Sequence, residues 1–282
     1  MLPDLDWHAV PEAYPGVRIY VGELNRPRHI AVYAVRIDLQ QSGVAVTTTG
    51  RHPQWQLDSK ETQRETTTAF IQRKRSMGLP VVVALNANFY YPVANDGGPS
   101  VLRGLAVSNG QLVSLSEHNR WALLFDDQGA VSMQATHPET ELDGVQHAIG
   151  AYVAIVRDGH VFGDAQQDRL GPRSAAGICD AGRYLFLLAI DGRRAGHSLG
   201  ASIRETGKIM HCLGAHNALN LDGGGSTALA WRDPALENIS LLNQPSGRPR
   251  LAGIPMPGSI ERWNAHHIGI VVEVPKQEEA VP

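Results

Sequence analysis

The chain has 282 residues, of which 43% are hydrophobic and 19% are charged, so it can bury a large core. Its formal net charge of -3 and sequence pI of about 6.4 predict no binding to nucleic acid or to an anionic membrane. Two cysteines exclude a disulfide framework. The N-terminus has no signal-peptide pattern and no apolar run reaches the ~18 residues of a membrane helix. We therefore expect a cytoplasmic protein as written, or a secreted or periplasmic one if a leader has been removed.

Strand patterns dominate the first third of the chain. Residues 17–24 and 30–39 are predicted as strands, and in the second of them larger apolar side chains alternate with small or charged ones. The spacing changes to that of a helix over residues 61–77, which a following glycine and proline end. A buried strand over residues 81–85 comes next.

Four hairpins are predicted farther along the chain. Each consists of two strand patterns around a short polar turn: 104–108 with 111–115, 121–125 with 130–134, 152–156 with 160–162, and 174–179 with 184–190. This much antiparallel signal excludes a purely parallel sheet.

A strand, a helix and a strand follow one another over residues 184–221. Ser202 and Glu205 have the spacing of a capping box at the start of the helix. A right-handed crossover of this kind joins parallel strands and places Asp191 and Asp222 at C-terminal strand ends. We therefore expect an α+β (mixed α/β) fold. It would form a single domain over residues 1–275, with a mixed, largely antiparallel sheet, several hairpins, flanking helices and a disordered tail at residues 276–282.

Residues 217–231 carry the strongest functional signal. An apolar run ends at one carboxylate, Asp222. Three consecutive glycines and two hydroxyl residues follow it: Gly223, Gly224, Gly225, Ser226 and Thr227. Backbone without Cβ atoms lets amide groups approach an anion closely. These residues therefore indicate a site, and the alternative is a tight turn in which Asp222 caps its own backbone.

The order of the motifs resembles that of the phosphodiester glycosidase family. The segment 217–226 is close to the family's signature, and the resemblance covers about residues 81–274, leaving residues 1–80 without a motif. The other matching motifs are Asn86-Ala87-Asn88-Phe89-Tyr90, Gly104 with Asn109-Gly110, Pro172-Arg173-Ser174, Asp191-Gly192-Arg193, residues 198–205, Asn243 with Pro245-Ser246, and Glu261-Arg262. The chain departs from the family in having Ala87 for a glycine, Tyr90 for an aromatic residue without a hydroxyl, and Thr227 for a second serine.

The resemblance implies that the protein hydrolyses a small-molecule or glycan phosphodiester in which a sugar is attached to phosphate through its anomeric carbon. A phosphate monoester is a good leaving group, so a general acid matters less than in ordinary glycoside hydrolysis. Asp222 would be the base or the stabiliser of oxocarbenium charge, with Asp191 and Glu205 as further catalytic candidates. The candidate residues for binding substrate and phosphate are Arg173, Gly223, Gly224, Gly225, Ser226, Thr227, Asn86, Asn88, His197 and Ser198.

Several alternatives stay open. Asp191 could only form a turn, and Glu205 could only cap its helix. The enzyme could instead be a phosphodiesterase that cleaves the P–O bond of a nucleotide or nucleotide-sugar, or the protein could be a non-catalytic glycan- or nucleotide-binding module. No cofactor is expected, with a divalent cation such as Ca²⁺ or Mg²⁺ on Asp222 and Asp191 as the alternative. No oligomeric state follows from the sequence.

Overall fold

The computed structural model describes residues 6–117, 120–163, 169–247, 250–251, 254–255 and 259–273. The first elements are β1 (Asp6–Ala9), β2 (Val17–Leu24), β3 (Ile30–Asp38), β4 (Val44–Thr48), β5 (Thr62–Gln63), α1 (Thr67–Ser76), β6 (Val81–Asn86), β7 (Tyr90–Tyr91), β8 (Pro99–Leu102), β9 (Ala106–Ser108), β10 (Gln111–Ser114), β11 (Arg120–Asp126) and β12 (Val131–Thr136). They are followed by β13 (Val145–Ala151), β14 (Val153–Arg157), β15 (His160–Val161), β16 (Arg173–Ile178), β17 (Tyr184–Ile190), α2 (Ile203–Cys212), β18 (Asn217–Asn220), β19 (Leu229–Arg232), β20 (Ile239–Leu241), β21 (Arg250–Leu251), β22 (Ile254–Pro255) and β23 (His267–Val272).

The fold is mostly β, which corrects the predicted α+β class. Strands make up 46% of the residues and helices 9%, and the described part of the chain contains two α-helices. Three sheets carry the architecture, in the strand orders β1-β2-β3-β17-β16-β18-β14-β15, β10-β9-β13-β11-β12 and β20-β19-β6-β23-β4. Every strand pairing between described residues is antiparallel, so the predicted mixed sheet is also wrong.

The strand–helix–strand segment shows why the mixed sheet was predicted. β17 and β18 do run in the same direction on either side of α2, but β16 lies between them and pairs antiparallel with both. The crossover therefore skips one strand, and that strand comes from the hairpin immediately before. Local sequence predicts the directions of the two strands but not which strand lies between them.

The predicted hairpins are confirmed because their turns have strong local preferences. Asn109 and Gly110 have φ values of +50° and +71°, as a tight two-residue turn requires, and they join β9 to β10. The pairs β11–β12, β14–β15 and β16–β17 form the other three hairpins.

The two helices cover outer faces of different sheets. Helix α1 begins later than predicted, because Thr66 caps it by accepting a hydrogen bond from the amide of Ala69 at 3.1 Å. Its Phe70 and Ile71 pack with residues of β6. Helix α2 has the predicted capping box and packs Ile209 and Met210 with residues of β16 and β17.

The largest core lies where the three sheets face one another. It is built from alternating side chains of their central strands, among them Val35, Leu187, Leu219, Val83, Leu85, Ile268, Leu123 and Ile149. Residues 6–80, which carry no family motif, contribute strands to two of these sheets. The predicted single domain stays a prediction, and its tail at residues 276–282 lies outside the described residues. No helix in the described part of the chain is long and apolar enough to cross a membrane.

Candidate active site

Asn86 joins the two sheets on which the candidate site lies. Its side-chain carbonyl accepts hydrogen bonds from the Ser174 hydroxyl at 2.8 Å and from the Ala228 amide at 3.1 Å. Its side-chain NH₂ donates to the backbone carbonyl of Asp222 at 2.6 Å, and the Asp222 amide donates to the carbonyl of Ala87 at 2.9 Å. These bonds bring Asp222, after β18, against the end of β6. Asn86 thus positions the site through bonds within the protein.

The glycines after Asp222 form a short 3₁₀ turn at Gly224–Ser226, flanked by two arginines. Gly224 has a φ of +65°, a left-handed conformation that side chains disfavour. A Cβ added to Gly224 would lie 3.1 Å from Nη1 of Arg193, and one added to Gly225 would lie 2.3 Å from Nη2 of Arg262. The absence of side chains therefore makes room for two guanidinium groups.

The positive charge at this turn comes from arginines more than from amides. The Gly224 amide already donates to the carbonyl of Pro172 at 2.9 Å, and the Thr227 amide donates back into the turn at 3.3 Å. Neither Arg193 nor Arg262 forms a salt bridge with a carboxylate among the described residues. Two guanidinium groups without a salt bridge, beside a turn that lacks side chains, can hold an anion such as phosphate.

Sequence patterns gave these two arginines no role. Both stand in the quoted motifs, Asp191-Gly192-Arg193 and Glu261-Arg262, and that resemblance is the signal that could have found them. Arg193 also has a φ of +59°, an uncommon conformation for a residue with a side chain. Strain of this kind is concentrated at functional sites, which supports a role for Arg193.

Asp222 titrates near neutrality. The Asp222 residue as a whole is partly exposed, but its carboxyl group is buried. This burial raises the pKa of the carboxyl group to about 6. Hydrogen bonding from Ser226, the charge of Arg262 and the amide of Gly223 act in the opposite direction. Nη1 of Arg262 also donates to the Ser226 hydroxyl at 3.2 Å. Burial, and then the charge of Asp222, raise the pKa of Tyr90 to about 12, so this phenol stays protonated beside the carboxylate.

Asp191 is the second carboxylate, and the protein surrounds it with donors. It is fully buried, and its oxygens accept hydrogen bonds from the Asn243 side chain at 2.9 Å and from the Gln244 amide at 3.0 Å. Nε2 of His197 lies 2.7 Å from Oδ2 of Asp191, and the His197 side chain is 23% exposed. Burial, and then the charge of Asp191, raise the pKa of Tyr33 to about 12. Asp191 therefore holds the imidazole of His197, which is partly exposed.

The segment after β20 ties Asp191 to the glycine turn. The Asn243 side chain donates to Asp191 and also to the carbonyl of Thr227 at 3.3 Å. The Ser246 hydroxyl donates to the carbonyl of Gly224 at 3.3 Å. Asn243 and Ser246, which the motif resemblance included without a role, thus connect the two halves of the site.

The smaller predicted site residues are buried and face inward. The Ser198 hydroxyl donates to the Asp191 carbonyl at 2.6 Å, and Asn88 accepts a hydrogen bond from the Gly150 amide at 2.9 Å and donates to the Leu105 carbonyl at 3.0 Å. The Thr227 hydroxyl is buried and has no hydrogen-bond partner among the described residues.

The hydrogen bonds and ion pairs of Arg173 and Glu205 among the described residues are with groups other than Asp222. Burial, and then the charge of Arg193, lower the pKa of Arg173. Because side chains alternate along β16, Arg173 lies on the opposite face from Ser174, and its Nε donates to the carbonyl of Ala201 at 3.0 Å. Glu205 accepts a hydrogen bond from the Ser202 amide at 2.8 Å in the capping box and pairs with Arg28. Their predicted roles in binding and catalysis stay predictions.

A divalent cation on Asp222 and Asp191 is the metal site that the sequence left open. The described residues contain no group of three or more His, Cys, Asp or Glu side chains that could hold a metal ion. The oxygens of Asp191 already accept hydrogen bonds from the protein, and a cation site there stays a prediction.

Comparison with known proteins gives one family and several similar structures. A family model described as phosphodiester glycosidase matches residues 80–265. The catalytic domain of zebrafish N-acetylglucosamine-1-phosphodiester alpha-N-acetylglucosaminidase, auto-inhibited by its pro-peptide, superposes with a TM-score of 0.65 at 17% identity, over 95% of this chain and 88% of that one. No protein with a curated description matches the sequence.

Two bacterial structures of less defined role are also similar. A hypothetical protein from Synechocystis has a TM-score of 0.64 at 17% identity, and the match covers 92% of this chain but only 62% of that one. A putative exported protein from Burkholderia pseudomallei has a TM-score of 0.55 at 16% identity, with 87% and 74% of the two chains covered. At these identities the structures establish a shared fold.

Proposed function

This chain belongs to the phosphodiester glycosidase family, and we propose that it hydrolyses the bond between the anomeric carbon of a sugar and the phosphate of a sugar-1-phosphodiester, at Asp222. Family membership confirms the resemblance seen in the sequence and the predicted enzyme class, a hydrolase of glycan phosphodiesters. The roles of single residues and the identity of the sugar are parts of the proposal.

One observation carries the proposal. A carboxyl group with a pKa of about 6 stands directly before a glycine turn, and that turn is flanked by Arg193 and Arg262. A substrate with a phosphate bound by the arginines would place its sugar carbon close to the carboxylate. A carboxylate beside an anion site fits a sugar phosphate better than a neutral glycoside.

In the proposed reaction, water attacks the anomeric carbon while the bond from that carbon to the phosphate oxygen breaks. Asp222, ionised above pH 6, accepts the proton of the attacking water or stabilises the positive charge that develops on the sugar. The electron pair of the broken bond stays on the phosphate, which leaves as a monoester. Arg193 and Arg262 stabilise the negative charge that it gains.

His197, held by Asp191, would bind the substrate. Nε2 of His197 is hydrogen-bonded to Asp191, so Nδ1 would bind a sugar hydroxyl or a phosphate oxygen. Asp191 itself would be a positioning residue, because its oxygens are already bonded to Asn243, Gln244 and His197.

Hydrolysis in ¹⁸O-labelled water tests which bond breaks. The substrates would be a panel of sugar-1-phosphodiesters that includes an α-N-acetylglucosamine 1-phosphodiester, the class named for the zebrafish structure. Label in the released sugar is expected. Label in the phosphate instead would mean P–O cleavage by a phosphodiesterase, and no turnover of any substrate would favour a non-catalytic binding module.

Asp222→Asn tests the assigned carboxylate. We expect kcat to fall by about 10²–10⁴-fold while product affinity changes little, because the amide keeps the shape of the side chain but cannot accept a proton. Asp180→Asn, on an exposed loop, is the matched control and should leave kcat unchanged. Full activity of Asp222→Asn would contradict the assignment.

A further inference from the structure

A second positively charged pocket lies away from the residues assigned to catalysis. It has a volume of about 400 Å³ and lies between α1, the chain after β4 and the β9–β10 turn. Its lining includes five basic side chains and a single acidic one, Glu65; the basic residues are Arg51, His52, Arg64, Arg73 and Lys74. The volume falls in the range of small-molecule sites.

Of the four arginine and lysine side chains, two have no acidic partner among the described residues. Arg73 is bonded to Glu65 through two nitrogens, at 2.9 and 2.6 Å, and Arg64 pairs with Asp96. Arg51 instead donates to the carbonyl of Leu112 at 2.7 Å, and its guanidinium stacks on the ring of Trp55. Lys74 forms no salt bridge with a carboxylate among the described residues. The pocket therefore has an excess of positive charge that the protein does not neutralise.

Lys74 is unusual because it is buried as well as unpaired. Its residue is 4% exposed, and among the described residues its ammonium group donates one hydrogen bond, to the Thr47 hydroxyl at 2.9 Å. An ammonium group has three donors, and burying a charge without a counter-charge is costly. Burial, and then the charge of Arg73, lower the pKa of Lys74 to about 8.

The charge of Glu65 acts in the opposite direction on the pKa of Lys74, but Glu65 is already bonded to Arg73. The Lys74 ammonium lies 5.5 Å from the ring centre of Phe70, which gives a weak cation–π contact. Burial, together with the charge of Lys74, lowers the pKa of His147 to about 4 and that of His266 to about 3, so both imidazoles are neutral. An anion entering the pocket would provide the compensating charge.

We propose that this pocket binds the phosphate group of a small phosphorylated molecule through Lys74 and Arg51. The pocket is much larger than a phosphate ion needs, and Trp263 in its lining offers an aromatic face to the remainder of the ligand. The lining includes neither Arg193 nor Arg262, although Trp263 directly follows Arg262 in the chain, and the proposal does not depend on the reaction assigned to Asp222.

Binding of glucose 6-phosphate, with glucose as the uncharged control, tests the proposal by calorimetry at pH 7. All measurements use an Arg262→Gln background, so that anion binding at the glycine turn is weakened. In this background glucose 6-phosphate should bind and glucose should not. Adding Lys74→Met, which keeps the length of the side chain, should weaken binding at least tenfold. Adding Lys208→Met, the same change on α2, should leave the affinity within twofold.

Absence of glucose 6-phosphate binding in the Arg262→Gln background, equal binding of glucose, or unchanged affinity after Lys74→Met would overturn the proposal. If Lys74→Met does not fold, Arg51→Gln at an exposed position replaces it and should weaken binding in the same way.

Discussion

A Gly225→Ala variant tests whether Gly225 is needed for the space that it leaves beside Arg262 or for its backbone conformation. Gly225 has no left-handed φ, so alanine introduces no backbone strain of that kind. The new Cβ would, however, lie 2.3 Å from Nη2 of Arg262, whereas ordinary contacts begin at 3.4 Å. The neighbour is the end of a long side chain, and the guanidinium must therefore move by about 1 Å while the fold persists.

That displacement predicts a specific loss of function. It breaks the 3.2 Å hydrogen bond from Arg262 to Ser226 and moves the charge away from the position of the phosphate. A misplacement of about 1 Å in a catalytic group can lower kcat/KM by about 100-fold, which corresponds to about 2.7 kcal/mol of transition-state stabilisation. The free energy of unfolding should change by less than about 1 kcal/mol.

The pH profile gives a second readout. If Asp222 must be ionised, kcat/KM of the wild type rises with pH through about 6 and then levels off. The charge of Arg262 lowers the pKa of Asp222, so moving Arg262 away should shift this limb to higher pH. Arg262→Gln should produce the same shift.

A double-mutant cycle decides whether the glycine acts through the arginine. If it does, Gly225→Ala in the Arg262→Gln background should cost little more than Arg262→Gln alone. Additive losses, or a Gly225→Ala enzyme with wild-type kcat/KM and an unshifted acid limb, would refute the reasoning.

Three further predictions concern residues outside the glycine turn. Glu205→Ala should lower the free energy of unfolding by about 1 kcal/mol through loss of the capping box, with kcat within twofold of wild type; a drop of kcat by orders of magnitude would instead support its predicted catalytic role. Asn86→Ala should cost about 3 kcal/mol in urea unfolding, because the buried Ala228 amide and Asp222 carbonyl lose their partner, and a loss below about 1 kcal/mol would contradict its positioning role. Lys74 has a folded-state pKa of about 8 against an ordinary value of 10.5, so the unfolded chain binds the extra proton between these values. Its contribution to stability should therefore rise with pH across that window, by up to about 3 kcal/mol. Urea unfolding at pH 7.5 and 10 should show this rise in the wild type relative to Lys74→Met, and parallel curves for the two proteins would count against it.

Several local features followed from the sequence because neighbouring residues decide them. The Asn109-Gly110 turn, the capping box of Ser202 and Glu205, and the strand before Asp222 were all predicted and all occur. Helix α1 was predicted six residues too early, because the capping hydrogen bond of Thr66 sets its start. The fold class was wrong for a different reason: strand neighbours such as β16 between β17 and β18 are chosen by long-range pairing, which periodicity does not encode.

The candidate site also has a part that the sequence predicts and a part that only the structure shows. The sequence by itself determined the family and placed Asp222 before three glycines, because a carboxylate, a backbone without side chains and two hydroxyls are contiguous in the chain. Only the tertiary structure decided which basic groups meet that turn: Arg262 comes from a distant segment and lies over Gly225, whereas Nε of Arg173 donates to the carbonyl of Ala201. Side-chain direction depends on the pairing and packing of whole sheets, and that information is spread over the entire chain.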